Sequence, residues 1–120
     1  MAKPGKVGLD RVLSASKYSY QGLRAQWKYE AAFRQEAVLF LISLPFAIWL
    51  GDNGLERAVL IFSVGLVLIV ETLNSSVEAV VDRISSEHHE LSGRAKDLGS
   101  AAVMLALVLA AVVWLVVLFG

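Results

Sequence analysis

Val70-Glu71-Thr72-Leu73-Asn74-Ser75-Ser76-Val77-Glu78-Ala79-Val80-Val81-Asp82-Arg83 is the stretch whose reading decides the fold. It continues directly from an uncharged apolar run, residues 58–70, apart from the single hydroxyl of Ser63. A helix turns by about 100° per residue. With Glu71 at zero, that rule places Asn74 at about 300°, Ser75 at about 40°, Glu78 at about 340° and Asp82 at about 20°. The five share one stripe about 100° wide, and Leu73, Val77, Val80 and Val81 lie mostly off it. Carboxylates and a carboxamide at the end of a membrane-length segment are costly to bury, so they mark a functional site. They offer the oxygen ligands Mg²⁺ prefers and a spare carboxylate able to act as a base.

Working outward, residues 55–82 read as a membrane span with a polar extension. From Leu55 to Glu71 is about 24 Å at 1.5 Å per residue, against a hydrocarbon core about 30 Å thick. Glu71 therefore lies near the far edge of the core, and Glu78 and Asp82 reach the headgroup layer or beyond. Before this span, Gly51-Asp52-Asn53-Gly54 is a turn by residue type. An earlier span covers 31–50. Its apolar part, 37–50, is about 14 residues, short of the roughly 20 required. Taking in Arg34, Gln35 and Glu36 completes it, with those side chains at the interface or against other helices. Pro45 is expected to kink this helix or to be accommodated by its neighbours. After the stripe, 84–97 is polar, and 98–119 is a third span without charge. Gly99, Ser100, Ala101 and Ala102 form a small-residue patch that permits close helix packing.

The N-terminal part differs in kind. Residues 1–8 read as a short tail with nothing resembling a signal peptide. Residues 9–29 mix Leu9, Val12, Leu13, Tyr18, Leu23 and Trp27 with Arg11, Lys17, Arg24 and Lys28. This is the composition of an amphipathic helix lying on the membrane surface, with aromatic side chains suited to the interface. Gly22 weakens a helix by about 1 kcal/mol relative to Ala, so a break is expected near residues 19–22.

Composition agrees with this division. The 120 residues suit one domain and are 57% hydrophobic, with a mean hydropathy of +0.62. A soluble domain averages roughly 45–50% apolar, and here the apolar residues come in long blocks, which argues for a membrane protein over the alternative of a soluble all-helical bundle. There is no cysteine, hence no disulfide and no thiolate metal site, and the formal net charge is zero. The expected fold is an all-α membrane protein: three transmembrane helices (about 31–50, 55–82 and 98–119) bundled with an N-terminal amphipathic surface helix (about 9–29). No nucleic-acid partner is expected.

Charge asymmetry orients the chain. Lys3, Lys6, Arg11, Lys17, Arg24, Lys28 and Arg34 precede or begin the first span, and Arg83, Arg94 and Lys96 lie between the second and third. The short turn between the first and second has only Arg57 nearby. The positive-inside rule places the N-terminus and the second loop in the cytoplasm and the C-terminus outside. Glu30, Glu71, Glu78, Lys96 and Asp97 then fall at one level, the cytoplasmic interface.

Three carboxylates, a carboxamide and a lysine at one depth suit a metal-bound polyphosphate. Mg²⁺ takes one or two carboxylates and completes its shell with water and phosphate oxygens. Phosphoryl transfer asks chiefly for charge neutralisation and a positioned base. A hydroxyl acceptor at this depth would come from a lipid. Walker A and protein-kinase loops are absent from the sequence. Blander roles exist for each group. Glu71 could pair with a basic residue in helix packing, and Asn74 could hydrogen-bond between helices. Glu78 and Asp82 could be solvated ends. His88-His89 with Glu87 and Glu90 could hold a metal, but adjacent histidines on a loop are more often solvated. A small proton-coupled exporter could also use a membrane glutamate, although its site belongs nearer the midplane. A structural or regulatory subunit would need no carboxylate stripe.

The segments Glu30-Ala31-Ala32-Phe33-Arg34-Gln35-Glu36, Val70-Glu71-Thr72-Leu73-Asn74-Ser75, Glu78-Ala79-Val80-Val81-Asp82-Arg83 and Glu87-His88-His89-Glu90-Leu91-Ser92-Gly93-Arg94-Ala95-Lys96-Asp97 resemble the small integral-membrane diacylglycerol kinases of Gram-negative bacteria, in order and spacing. The resemblance runs from about Arg11 to the C-terminus. It implies an ATP- and Mg²⁺-dependent kinase of the inner membrane that makes phosphatidic acid. It also implies a homotrimer with active sites shared between subunits. Glu71 matches the general base and Asn74 an essential polar residue. Glu30 and Glu78 match metal-binding carboxylates that hold the nucleotide phosphates. Arg11, Tyr18, Glu87, His88, His89, Lys96 and Asp97 match nucleotide contacts. The implied lipid site takes in Arg11, Ala15, Ser16, Lys17, Tyr18, Ser19, Tyr20, Arg24, Ala25, Gln26 and Trp27 from the surface helix. It continues through Ala32, Phe33, Arg34, Gln35, Glu36, Trp49, Arg57, Glu71 and Ser100. Tyr29, His88 and Pro45 depart from the family pattern. Related Gram-positive enzymes phosphorylate undecaprenol, which is the rival substrate.

Overall fold

The apolar blocks become helices because, without water, a backbone can satisfy its polar groups only by bonding to itself. The computed structural model describes residues 7–84, 87 and 89–120. Four helices follow in order: α1 (Gly8–Tyr29), α2 (Ala31–Leu50), α3 (Gly54–Ile84) and α4 (Glu90–Phe119). The last three are long and apolar enough to cross a membrane. The protein is an all-α membrane protein. The chain divides into two compact units, Met1–Ala31 and Ala32–Gly120.

The first unit is α1. Asp10 in its first turn and Lys28 in its last both complement the helix dipole. Leu9, Val12, Leu13, Leu23 and Trp27 are exposed, as a helix that rests on lipid requires. The expected break does not occur: the helix runs unbroken through Gly22. A cost of about 1 kcal/mol is small beside the hydrogen bonding of a 22-residue helix. The interruption comes at Glu30, whose backbone is extended (φ −123°, ψ 108°) and whose N–H still donates to Gln26 O.

In the second unit α2 is continuous through Pro45, so the proline is accommodated within the helix. The turn to α3 is built by its polar residues. Asn53 Oδ1 accepts from Glu56 N at 2.9 Å, and Glu56 Oε1 accepts from Asp52 N at 3.0 Å. This reciprocal cap satisfies donors at the start of α3. Arg57 Nε donates to Ile48 O at 3.1 Å, tying the end of α2. Gly51 is required by close approach, because a Cβ there would lie 2.6 Å from Arg57 Cγ and 2.9 Å from Ala47 O. Asn53→Ala is expected to destabilise the fold by about 1 kcal/mol, read as a lower thermal unfolding midpoint in detergent with unchanged helix content.

α3 and α4 pack along each other. Leu60 and Val67 are the largest fully buried side chains, and Ala106 is buried on α4. Trp114 Nε1 donates to Ser63 Oγ at 3.2 Å, while Ser63 Oγ donates to Leu60 O at 2.8 Å. An apolar cavity of about 360 Å³ opens between α2, α3 and α4, lined among others by Leu39, Phe46, Val67, Ala110 and Trp114. The helix of the third span, α4, begins earlier than the apolar block implies. Residues 90–97, expected as part of a polar loop, form the first two turns of α4. His89 starts them, its Nδ1 accepting from Leu91 N at 3.0 Å.

Candidate functional site

The stripe forms as the 100° rule requires, because α3 stays helical beyond the apolar segment to Ile84. Burial falls along it. Glu71 and Asn74 are only 7% and 8% exposed, Ser75 is half-buried, and Glu78 and Asp82 are exposed. Packing against the rest of the protein thus decreases from Glu71 and Asn74 to Glu78 and Asp82. Hydroxyl groups on the helix are spent on its own carbonyls: Thr72 on Leu68 O, Ser75 on Glu71 O, and Ser76 on Leu73 O. Ser75 therefore shares the stripe, but its hydroxyl proton is committed.

Asn74 links the deep part of the site to the shallow part. Its Nδ2 donates to Glu78 Oε1 at 3.0 Å. Its Oδ1 is buried without a hydrogen-bond partner and lies where a side chain on Gly99 would be. From α4, Lys96 Nζ reaches Asp82 Oδ1 at 2.7 Å. Asp82 raises the proton affinity of Lys96, first by this hydrogen bond and then by its charge, and Glu78 adds to the effect. Lys96 therefore stays cationic beside two carboxylates. It lies in the polar turns of α4, before the uncharged segment 98–119.

A second carboxylate comes from α2. Glu36 is half-buried and interacts electrostatically with Glu71. Glu36 Oε2 is buried without a hydrogen-bond partner. Phe33, one turn before it, is buried. The structure thus brings together Glu36, Glu71, Asn74, Glu78, Asp82 and Lys96.

The other expected site residues fall as follows. In the first unit Glu30 is half-buried, with Gln26 Nε2 donating to its Oε1 at 3.4 Å. Gln26 is buried and Tyr18 half-buried. Arg11, Ala15, Ser16, Lys17, Ser19, Tyr20, Arg24, Ala25 and Trp27 are exposed. Ser16 Oγ donates to Val12 O at 2.9 Å. Tyr29, the departure from the family pattern, lies under the Lys28 ammonium at 5.3 Å. In the second unit Arg34 is half-buried, and Ala32, Gln35, Trp49 and Ser100 are exposed. Trp49 pairs with Phe46, ring centroids 6.3 Å apart. Arg57 and Trp49 lie at the α2–α3 turn, the opposite end of α3 from Glu78. Asp97 and Glu87 are exposed. His88 lies outside the described residues. His89 caps α4, and among the described residues no group of three or more His, Asp or Glu converges as a metal cage.

Two features escaped the sequence reading. The Trp114–Ser63 bond is set by the register between α3 and α4. Gly99 against Asn74 was visible only as part of a small-residue patch.

Chemically, the arrangement offers a buried carboxylate at the end of the apolar segment, and exposed carboxylates with a cation two to three turns further out. Comparison with known proteins bears on what uses it. A family model for prokaryotic diacylglycerol kinase matches residues 17–118. The chain is 55% identical over 114 residues to the diacylglycerol kinase of Escherichia coli K12, covering 95% of this chain and 93% of the relative. It is 50% identical over 113 residues to that of Haemophilus influenzae, covering 94% and 96%. With that of Pseudomonas aeruginosa it shares 47% identity over 116 residues, covering 97% and 94%.

Proposed function

The chain belongs to the prokaryotic diacylglycerol kinase family, and from that premise we propose how its residues carry out the reaction. It transfers the γ-phosphate of ATP to the hydroxyl of diacylglycerol and makes phosphatidic acid. The observation that carries the mechanism is the graded stripe: Glu71 buried at the end of the apolar segment, and Glu78 exposed two turns beyond it. Diacylglycerol has its hydroxyl at the membrane surface and ATP arrives from water, so the two reactants meet along this stripe.

In the proposed reaction Glu71 accepts the proton of the lipid hydroxyl as its oxygen attacks the γ-phosphorus in line. A new O–P bond forms, the bond from the γ-phosphorus to the β,γ-bridging oxygen breaks, and ADP leaves. The proton passes from Glu71 to water afterwards. Lys96, held cationic by Asp82, adds positive charge on the nucleotide side. The hard, exposed carboxylate of Glu78 fits Mg²⁺, which takes one or two protein carboxylates and leaves the rest of its shell to phosphate and water. Glu78 would hold that ion, and bound there it would neutralise the phosphates; the family resemblance implies Glu30 as a further metal-binding carboxylate. Arg11, Tyr18, Glu87, His88, His89 and Asp97 are proposed nucleotide contacts.

The apolar cavity supports the lipid side of this reading. Val67 lines it one turn from Glu71 and Leu39 lines it one turn from Glu36, so a lipid with its hydroxyl at Glu71 can extend an acyl chain there. The membrane is proposed to be the inner membrane, with the N-terminus and second loop cytoplasmic and the C-terminus periplasmic, because the basic residues cluster on that side. A homotrimer with shared sites is proposed from the family. The exposed apolar surfaces of α2 and α4 offer room for neighbours.

The test is transfer of labelled γ-phosphate from ATP in detergent micelles with Mg²⁺, with diacylglycerol and undecaprenol offered together. Labelled phosphatidic acid is expected. Label on undecaprenol alone would keep the site and overturn the substrate.

A further inference from the structure

Gly99 sits inside α4, where glycine is a weaker helix former than alanine. Among the described residues the only glycine with positive φ is Gly8, so the backbone at 99 does not need glycine's freedom. What α4 uses is the missing Cβ. A Cβ there would overlap Asn74 Oδ1 and lie 3.1 Å from its Cγ and 3.8 Å from its Cβ. The carboxamide cannot move aside cheaply. Asn74 is 8% exposed and tethered to Glu78 through Nδ2 at 3.0 Å. One turn earlier Lys96 is bonded to Asp82 at 2.7 Å, a second contact between α4 and α3 in this register. Gly65 makes the contrast: a Cβ there would meet Phe40 Cε1 at 3.4 Å, an ordinary contact.

We propose that Gly99 is a positioning residue: by leaving room for the Asn74 carboxamide, it fixes the hydrogen bond that orients Glu78 toward the metal-bound nucleotide. The proposal rests on the kinase reading above. Gly99 touches neither substrate and acts through Asn74. Its effect therefore falls on Mg·ATP affinity rather than on the lipid.

The test is Gly99→Ala in the full chain, with Gly65→Ala as control. The KM for Mg·ATP is expected to rise about 10–100-fold, the usual effect of losing a residue that orients a metal ligand. The KM for diacylglycerol should stay near wild type, and the unfolding midpoint should fall as the buried carboxamide is forced to give. Asn53 and Asn74 are the chain's asparagines, so ¹⁵N-asparagine labelling resolves the Asn74 side-chain amide, which should shift in Gly99→Ala and stay in Gly65→Ala. An unmoved amide, or a moved amide with unchanged Mg·ATP affinity, would overturn the proposal. Should Gly99→Ala fold poorly, the Asn74→Ala background removes the clash. There Gly99→Ala should have no further effect on Mg·ATP binding, and a second loss of similar size would overturn the coupling. A wild type that phosphorylates no lipid would overturn the kinase reading instead. The amide shift, read without turnover, tells the two failures apart.

Discussion

Glu71→Gln is expected to abolish phosphoryl transfer while Mg·ATP still binds. A positioned general base typically contributes about 10²–10⁴-fold, and glutamine keeps the volume and a carbonyl oxygen but cannot take the proton. Glu71 is buried at the end of the apolar segment, so water is a poor substitute. The loss should fall on kcat, with nucleotide affinity near wild type because the exposed carboxylates are untouched. Removing a buried carboxylate also lifts a desolvation cost, so the variant should be at least as stable as the parent. Loss of turnover through misfolding would show as a lower unfolding midpoint, and loss of nucleotide binding would show in direct ATP titration. Turnover at the wild-type rate would exclude Glu71 as the base.

Glu78→Gln is expected to produce a different loss. The side chain keeps an oxygen that can accept from Asn74 Nδ2, so the tether seen at 3.0 Å can persist and the change is one of charge. Replacing even a supporting group of a metal site costs about 10–100-fold in affinity. The Mg²⁺ concentration for half-maximal activity and the KM for ATP should both rise by at least that factor, and the KM for diacylglycerol should not. Glu78 also supports the charge on Lys96, which adds a smaller effect in the same direction. An unchanged Mg²⁺ requirement would remove Glu78 from the proposed metal site.

What the sequence carried and what it did not follow from the range of each interaction. The spans were legible because burying backbone in lipid leaves little choice but a helix. The stripe was legible because helical periodicity places Glu71, Asn74, Glu78 and Asp82 together whatever surrounds them. Turn chemistry placed residues 51–54, although Arg57 took an additional structural task at Ile48 O. Local propensity failed at Gly22, where the rest of the helix outweighs one weak position. It failed again at residues 90–97, where a polar segment continues the helix that follows. Contacts set by inter-helix register were out of reach. Nothing local says that Gly99 meets Asn74 or that Trp114 reaches Ser63. Glu36 is intermediate: the need to lengthen the first span placed it at the interface, but only the packing of α2 sets it near Glu71.

The measurement that tests the central claim most directly is a single turnover. Folded wild type and Glu71→Gln are each loaded with Mg²⁺ and γ-labelled ATP, bound nucleotide is quantified, diacylglycerol is added, and label in phosphatidic acid is followed. The account predicts equal occupancy in the two proteins and transfer in the wild type alone. Equal transfer rates would contradict it, and the proton would then have to leave the lipid hydroxyl by another route.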